Sequence, residues 1–286
     1  QESYEFIYGN YLPDNHILSQ GFYEWADLVE EKTEGRVTID IVSGGALGAS
    51  TDVYQDVKGG TYDIGYAGAS FEYDQFFKLN IGNLPYAFPD VVTASNVLQS
   101  FTEKHGMDEF EGVKLMSINV LPPYVLSSRE PIESLEDLKG KRIRVYGAGG
   151  QELIESWDAV PVSMPTEDIY TSLDRGTIDA IIYNPVGIEE KKYGAGGPYI
   201  SPINVVVYTG MTVMNENAFN SLPDELKKLF DEELFPAYSE IFDQVYVNSI
   251  DETFDFYSND ESVTFVEWSD EEELKLKATG EERWNN

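Results

Sequence analysis

Two short stretches of this chain repeat one another at a fixed distance, and that repeat narrows the possible folds more than any other feature. Residues 53–63 read VYQDVKGGTYD and residues 169–179 read IYTSLDRGTID. At a constant offset of 116, Tyr54 meets Tyr170, Gly60 meets Gly176, Thr61 meets Thr177 and Asp63 meets Asp179. Each stretch has the form of a helix end, a glycine stop and the entry into a buried strand. A looser pair lies upstream: RVTIDIVSGG at 36–45 and KRIRVYGAGG at 141–150 both read as a strand, a glycine-rich turn and a helix. Strand, turn, helix and strand recurring in this order imply two similar α/β lobes with largely parallel sheets.

The rest of the chain fits that grammar. Residues 4–8 (YEFIY) read as a strand, and Phe22, Trp25, Ala26 and Val29 form one apolar helix face that Gly35 ends. Residues 36–42 and 62–66 read as strands, with a helix from about Thr51 between them. Helical stretches reach about Glu111, and a strand follows near Val113–Ile118. Pro122-Pro123 marks a change of segment, and Ser134 with Asp137 resembles a helix-start box. MTVMN (211–215) is a further strand, with Asn215 as the cap of the next helix. A long helical pattern runs over about 223–258, with Pro236 inside it as a break or kink. The expected division is 1–121 plus 211–250 for lobe one and 122–210 plus 251–286 for lobe two, with the long helix spanning both. The tail from Asp251 reads as an acidic, solvated covering segment.

Composition removes several function classes. Of 286 residues, 42% are hydrophobic, and 15 Phe, 19 Tyr and 4 Trp exclude a disordered chain. Nineteen Lys and Arg against 52 Asp and Glu give a net charge of -33, the wrong sign for nucleic acid or an anionic membrane. The acids read as a solvated, self-repelling surface of the kind found in salty habitats, because no D-x-[DN]-x-[DN]-G calcium loop is present. Cysteine is absent, so disulfides and thiolate chemistry are excluded. No apolar run approaches the ~18 residues of a membrane span. A first residue Gln1 in place of Met is what removal of a signal peptide would leave. Enzyme signatures are weak: the histidines are His16 and His105, and G-x-S-x-G, H-E-x-x-H and Walker A patterns are missing. The run 146–150 (YGAGG) lacks dinucleotide-loop spacing, so no cofactor is expected, and no metal.

Binding features are stronger. Arg142 and Arg144 share one face of a short strand, with Ile143 and Val145 on the other. An arginine at the carboxyl end of a strand can clamp a carboxylate through two parallel hydrogen bonds. Asn184 ends the strand that begins at Ile178, where open α/β sheets bind ligands. Asn184-Pro185 equally suits the N-cap and first position of a helix.

These residues carry a resemblance. EWADLVEEKTEGRVTIDIVSGGALG (24–48), VKGGTYDIGYA (57–67), LPYAF (84–88), PIESLEDLKGKRIRV (131–145), PVSMPTEDIYTSLDRGTIDA (161–180) and MNENAFNSLPDELKKLF (214–230) stand in this order over nearly the whole chain. The chain resembles a periplasmic solute-binding protein of TRAP (tripartite ATP-independent periplasmic) transporters, dicarboxylate-binding type. The resemblance implies an α/β, two-lobed periplasmic-binding-protein-like fold with an interlobe cleft. It implies no catalysis: the cleft closes on a small organic acid and delivers it, as a monomer in the periplasm, to TRAP membrane permease subunits. It assigns Arg144 to the ligand carboxylate and matches Asn184 to an Asn often found at the site; Tyr183, Thr166, Tyr124 and Tyr208, with Asn10, Ser70 and Phe71 of lobe one, are further candidate ligand contacts. Three departures bear on the ligand. Thr166 stands where an aromatic or bulky residue is usual, Tyr183 is an unusual wall residue, and Tyr124 stands near where some members carry a second arginine. They favour a small or aromatic-caged ligand. The alternative is the same scaffold binding a small cation or amino alcohol, which would need aromatic faces and a carboxylate.

Overall fold

Eleven strands stand among the described residues of a computed structural model, which describes residues 2–84, 88, 91–121, 124–145, 147–190, 192–203 and 208–282. They are β1 (Tyr4–Gly9), β2 (Val37–Val42), β3 (Ile64–Gly68), β4 (Val113–Val120), β5 (Val125–Ser128) and β6 (Arg142–Arg144). Then come β7 (Val160–Val162), β8 (Ala180–Tyr183), β9 (Tyr199–Ser201), β10 (Thr209–Asn215) and β11 (Thr264–Phe265). They form one sheet of order β2-β1-β3-β10-β4 and another of order β11-β9-β5-β8-β6-β7. The Pro122-Pro123 boundary, most of LPYAF and Tyr146 lie outside the described residues.

The chain divides into two units around these sheets. Unit one comprises Gln1–Ala69, Val92–Val120 and Gly210–Val245; unit two comprises Ser70–Val91, Leu121–Thr209 and Tyr246–Asn286. Segment Ser70–Val91, assigned to lobe one on sequence, packs with unit two.

The repeat is structural. Gly60 (φ 76°) and Gly176 (φ 68°) take the left-handed conformation that ends each helix, which an L side chain adopts only with strain. Past each glycine the next amide reaches back: Thr61 N donates to Asp56 O at 2.9 Å and Thr177 N to Ser172 O at 2.9 Å. The aspartates then tie the following strand to its neighbour. Asp63 N donates to Ile7 O (2.9 Å), and Asp63 Oδ2 accepts from Ile7 N (2.8 Å). Asp179 N donates to Arg142 O (2.8 Å), and Asp179 Oδ2 accepts from Arg142 N (2.8 Å). On the other side, Asn215 N donates to Asp63 O and Arg129 N to Asp179 O. So β1, β2, β3 and β10 correspond to β6, β7, β8 and β5. In both sheets the first three are mutually parallel and the fourth is antiparallel. The sheets are therefore mixed: each antiparallel strand is the first that the chain enters after changing unit.

This correspondence overturns the looser upstream pair. RVTIDIV forms β2, whose counterpart is β7; KRIRV forms β6, whose counterpart is β1. The turns differ as well. Gly44 and Gly45 sit at positive φ ahead of a helix that starts only at Val53, whereas Gly147–Glu155 is helical from its first glycine. Gly150 is needed there because Val145 lies where its Cβ would stand.

In unit one, helix Ile17–Lys32 places Phe22 and Trp25 against Tyr238, Phe230 and Phe242. The long helical pattern is real but interrupted. Asp224–Leu229 is α-helical, Phe230–Leu234 makes a π turn, and Phe235–Asn259 is α-helical again. Pro236 has no N–H for the carbonyl four residues back, and the wider turn carries the chain past it. In unit two, Val125, Ile169, Leu173, Ile178, Ile181, Ile188 and Ile200 form the core. The tail is more than a covering segment: β11 pairs with β9, Trp268 is buried with Nε1 donating to Ile132 O (2.7 Å), and helix Asp270–Glu281 buries Leu276.

Candidate functional site

The strand ends of unit two hold the sequence-predicted residues in sequence-dictated positions. Arg144 is the last residue of β6 and is completely buried. Its Nη2 donates to Met164 O (3.2 Å) and more distantly to Thr166 Oγ1 (3.5 Å). Its Cζ lies 5.8 Å from the centre of the Tyr183 ring, a cation–π distance. Arg142, two residues back on the same face, turns instead to Asp179. Its Nε and Nη2 donate to the two carboxylate oxygens at 2.9 and 2.7 Å, and Nη2 also to Gly176 O at 2.8 Å. The guanidinium holds the Asp179 carboxyl below the usual range, through its side-chain hydrogen bonds first.

Tyr183 ends β8, and its ring belongs to a ladder of tyrosines. Tyr124 stacks on it (6.0 Å, 17°), and Tyr208 stacks on Tyr124 (6.4 Å, 13°). Phe71 meets Tyr208 edge to face at 6.5 Å. Gly187 lets the Tyr183 ring lie flat on helix Pro185–Glu190, since that ring occupies the place of a Cβ. Asn184 caps this helix: its Oδ1 accepts from Gly187 N at 2.7 Å. The cap uses the carbonyl oxygen, so the Nδ2 amide is the group Asn184 can offer a ligand. Ser70 is buried, and its Oγ makes no hydrogen bond among the described residues.

Unit two thus brings together Arg144, Thr166, Tyr183 and Asn184, and links Tyr124, Tyr208 and Phe71 by ring contacts. Asn10 is in unit one, where its Nδ2 donates to Ser19 Oγ (2.8 Å) and Ser43 Oγ (3.1 Å) and its Oδ1 accepts from Leu12 N (3.0 Å). These bonds give Asn10 a structural task in the turn after β1. Tyr193 escaped sequence reasoning. Its hydroxyl donates to Thr166 O (3.0 Å) and its ring meets Tyr183 edge-on (5.4 Å, 89°), so it braces two neighbours of Arg144. A lone tyrosine after two lysines carries no pattern that would reveal this. Among the described residues, no group of three or more His, Asp or Glu could hold a metal ion.

Two α/β units are present, and a completely buried arginine stands at a strand's carboxyl end in one of them. The chain belongs to the bacterial extracellular solute-binding proteins of family 7, the TRAP type, whose family model matches residues 8–286. It is 25% identical over 220 residues to the 2,3-diketo-L-gulonate-binding periplasmic protein YiaO of Escherichia coli, covering 74% of this chain and 65% of that one. Two solved TRAP periplasmic solute-binding proteins share the fold. The Haemophilus influenzae protein with bound L-gulonate has TM-score 0.87 and 20% identity, covering 99% of this chain and 93% of that one. The Sulfurospirillum deleyianum protein with bound succinate has TM-score 0.88 and 16% identity, covering 100% and 94%. The chain spans about two thirds of the length of the curated relatives it matches, 65–68% for four of them. Family 7 proteins bind small molecules for TRAP permeases outside the cytoplasmic membrane. No described helix here is long and apolar enough to cross a membrane.

Proposed function

We propose that this chain, acting as a monomer in the periplasm, captures a small organic acid and hands it to a TRAP permease. Nucleic acid has no part, given the charge of -33. The observation that carries the reading is the complete burial of Arg144 at a strand's carboxyl end. A guanidinium taken out of water is costly unless an anion or several acceptors meet it. Its planar fork matches a carboxylate, and Tyr183 and Thr166 fix its plane. Asn184 Nδ2, Tyr183 and Ser70 Oγ supply the neutral contacts. The same buried cation speaks against the amine alternative, because a second positive charge beside it would be repelled.

A thermal-shift panel of small acids and amines tests this, followed by calorimetric titration of Arg144→Ala and Arg144→Lys. An acid should stabilise the wild type, and Arg144→Ala should weaken binding thirtyfold or more, about 2 kcal/mol or above for a charge that loses its buried partner. Arg144→Lys should bind in between. Stabilisation by amines alone, or equal affinity of wild type and Arg144→Ala, would overturn the reading.

A further inference from the structure

The internal repeat gives the strand ends of β6 and β8 counterparts in unit one. Ile7 and Arg142 hold the same place through their paired bonds to Asp63 and Asp179. Two residues on, Gly9 pairs with Gly65 of β3, and Arg144 pairs with Ile181 of β8. Gly65 and Ile181 are 116 apart, as the repeat requires, so Gly9 is the counterpart of Arg144. By the same offset Ala67 answers to Tyr183 and Gly68 to Asn184. Where unit two carries a cation, a ring and an amide, unit one carries two glycines and an alanine. No arginine could replace Gly9 without displacement, because the Tyr62 ring fills the place of its Cβ.

The buried charge is equally one-sided. Among the described residues Arg144 is the one Lys or Arg that is buried. Arg36, Lys114, Lys141, Arg142, Lys227 and Lys275, for example, pair with carboxylates at or near the surface.

We propose, resting on the reading that Arg144 binds the ligand's acid group, that the ligand is a planar monocarboxylate with an uncharged remainder. One guanidinium pairs with one carboxylate through two parallel bonds. A second carboxylate drawn into the site would lose its water and meet tyrosine faces, whose π electrons repel an anion. A flat, neutral body lies well on such faces. Among these rings Tyr183 stands next to the guanidinium, its centre 5.8 Å from Arg144 Cζ.

Matched acids decide it, titrated calorimetrically into the full chain at physiological salt: benzoate against terephthalate, and butyrate against succinate. In each pair the monocarboxylate should bind at least tenfold more tightly, and benzoate more tightly than butyrate. A dicarboxylate binding as tightly as its partner, with affinity lost in Arg144→Gln, would overturn the monocarboxylate assignment and leave the organic-acid reading standing. Preference for butyrate would overturn the planar body. Binding that survives Arg144→Gln, or no binding by any of the four acids, would overturn the underlying reading and the assignment together.

Discussion

Arg142 and Arg144 share a face of one three-residue strand, yet Arg142 is partly exposed and Arg144 wholly buried. Position along the strand separates them, since two residues amount to about 6.5 Å. Arg142→Ala should therefore leave ligand affinity within about twofold and lower stability only slightly, as loss of a partly exposed pair does. Urea unfolding beside calorimetry would show both. A second residue-scale test concerns Asp243 in unit one, whose Oδ1 accepts from Ser95 Oγ (3.1 Å) and Asn119 Nδ2 (2.9 Å). Burial pushes its carboxyl up to about 6. Glu103, Lys114, Asp231 and Glu240 line the same groove and add charge around it. An acid that holds its proton more tightly in the native than in the unfolded chain stabilises the fold fully below the unfolded value near 4. That stabilisation is lost as the pH rises through about 6. Asp243→Asn should accept the same two bonds without the titration. Its stability relative to wild type should rise by about 2 kcal/mol between pH 4 and 7. A constant difference across that range would show that Asp243 does not titrate there.

At the scale of elements, the G-T-x-D stretches were legible because their chemistry is local. A left-handed glycine, the reach-back of the next amide and an aspartate on the neighbouring strand all fall within a few residues. Gly60→Ala and Gly176→Ala should each destabilise by roughly 1–2 kcal/mol, the cost of a left-handed side chain. Gly176→Ala should be the worse, because the Arg129 guanidinium lies where its Cβ would stand, whereas nothing closer than 3.7 Å crowds Gly60. Equal losses in thermal melts would show that backbone strain alone sets the cost. Caps were equally readable: Ser134 Oγ accepts from Asp137 N, and Asn215 Oδ1 from Asn217 N and Ala218 N. Long-range pairing was not. RVTIDIV and KRIRV look alike because any edge or near-edge parallel strand does. Only the ladder shows that they hold different places. Tyr193 and the packing of Ser70–Val91 with unit two likewise depend on contacts far along the chain.

At the scale of the whole molecule, charge and connectivity dominate. With a net charge of -33, self-repulsion should weaken as salt rises, the screening length falling from about 10 Å at 0.1 M to about 3 Å at 1 M. The melting temperature should therefore climb with NaCl. A flat curve in calorimetric scans would mean that the acids are already neutralised by their own pairs. A bound acid should also give a smaller radius in small-angle scattering at saturation. The chain changes unit at residues 69/70, 91/92, 120/121, 209/210 and 245/246, so neither unit is a continuous stretch. Unit one waits for β10 between β3 and β4, and unit two waits for β11 at its sheet edge. During synthesis or export, then, the leading two hundred residues emerge without a finished sheet on either side. They must be kept from aggregating until the carboxyl-terminal third arrives, which ties the yield of folded protein to the cell's holding chaperones rather than to the stability of any one part.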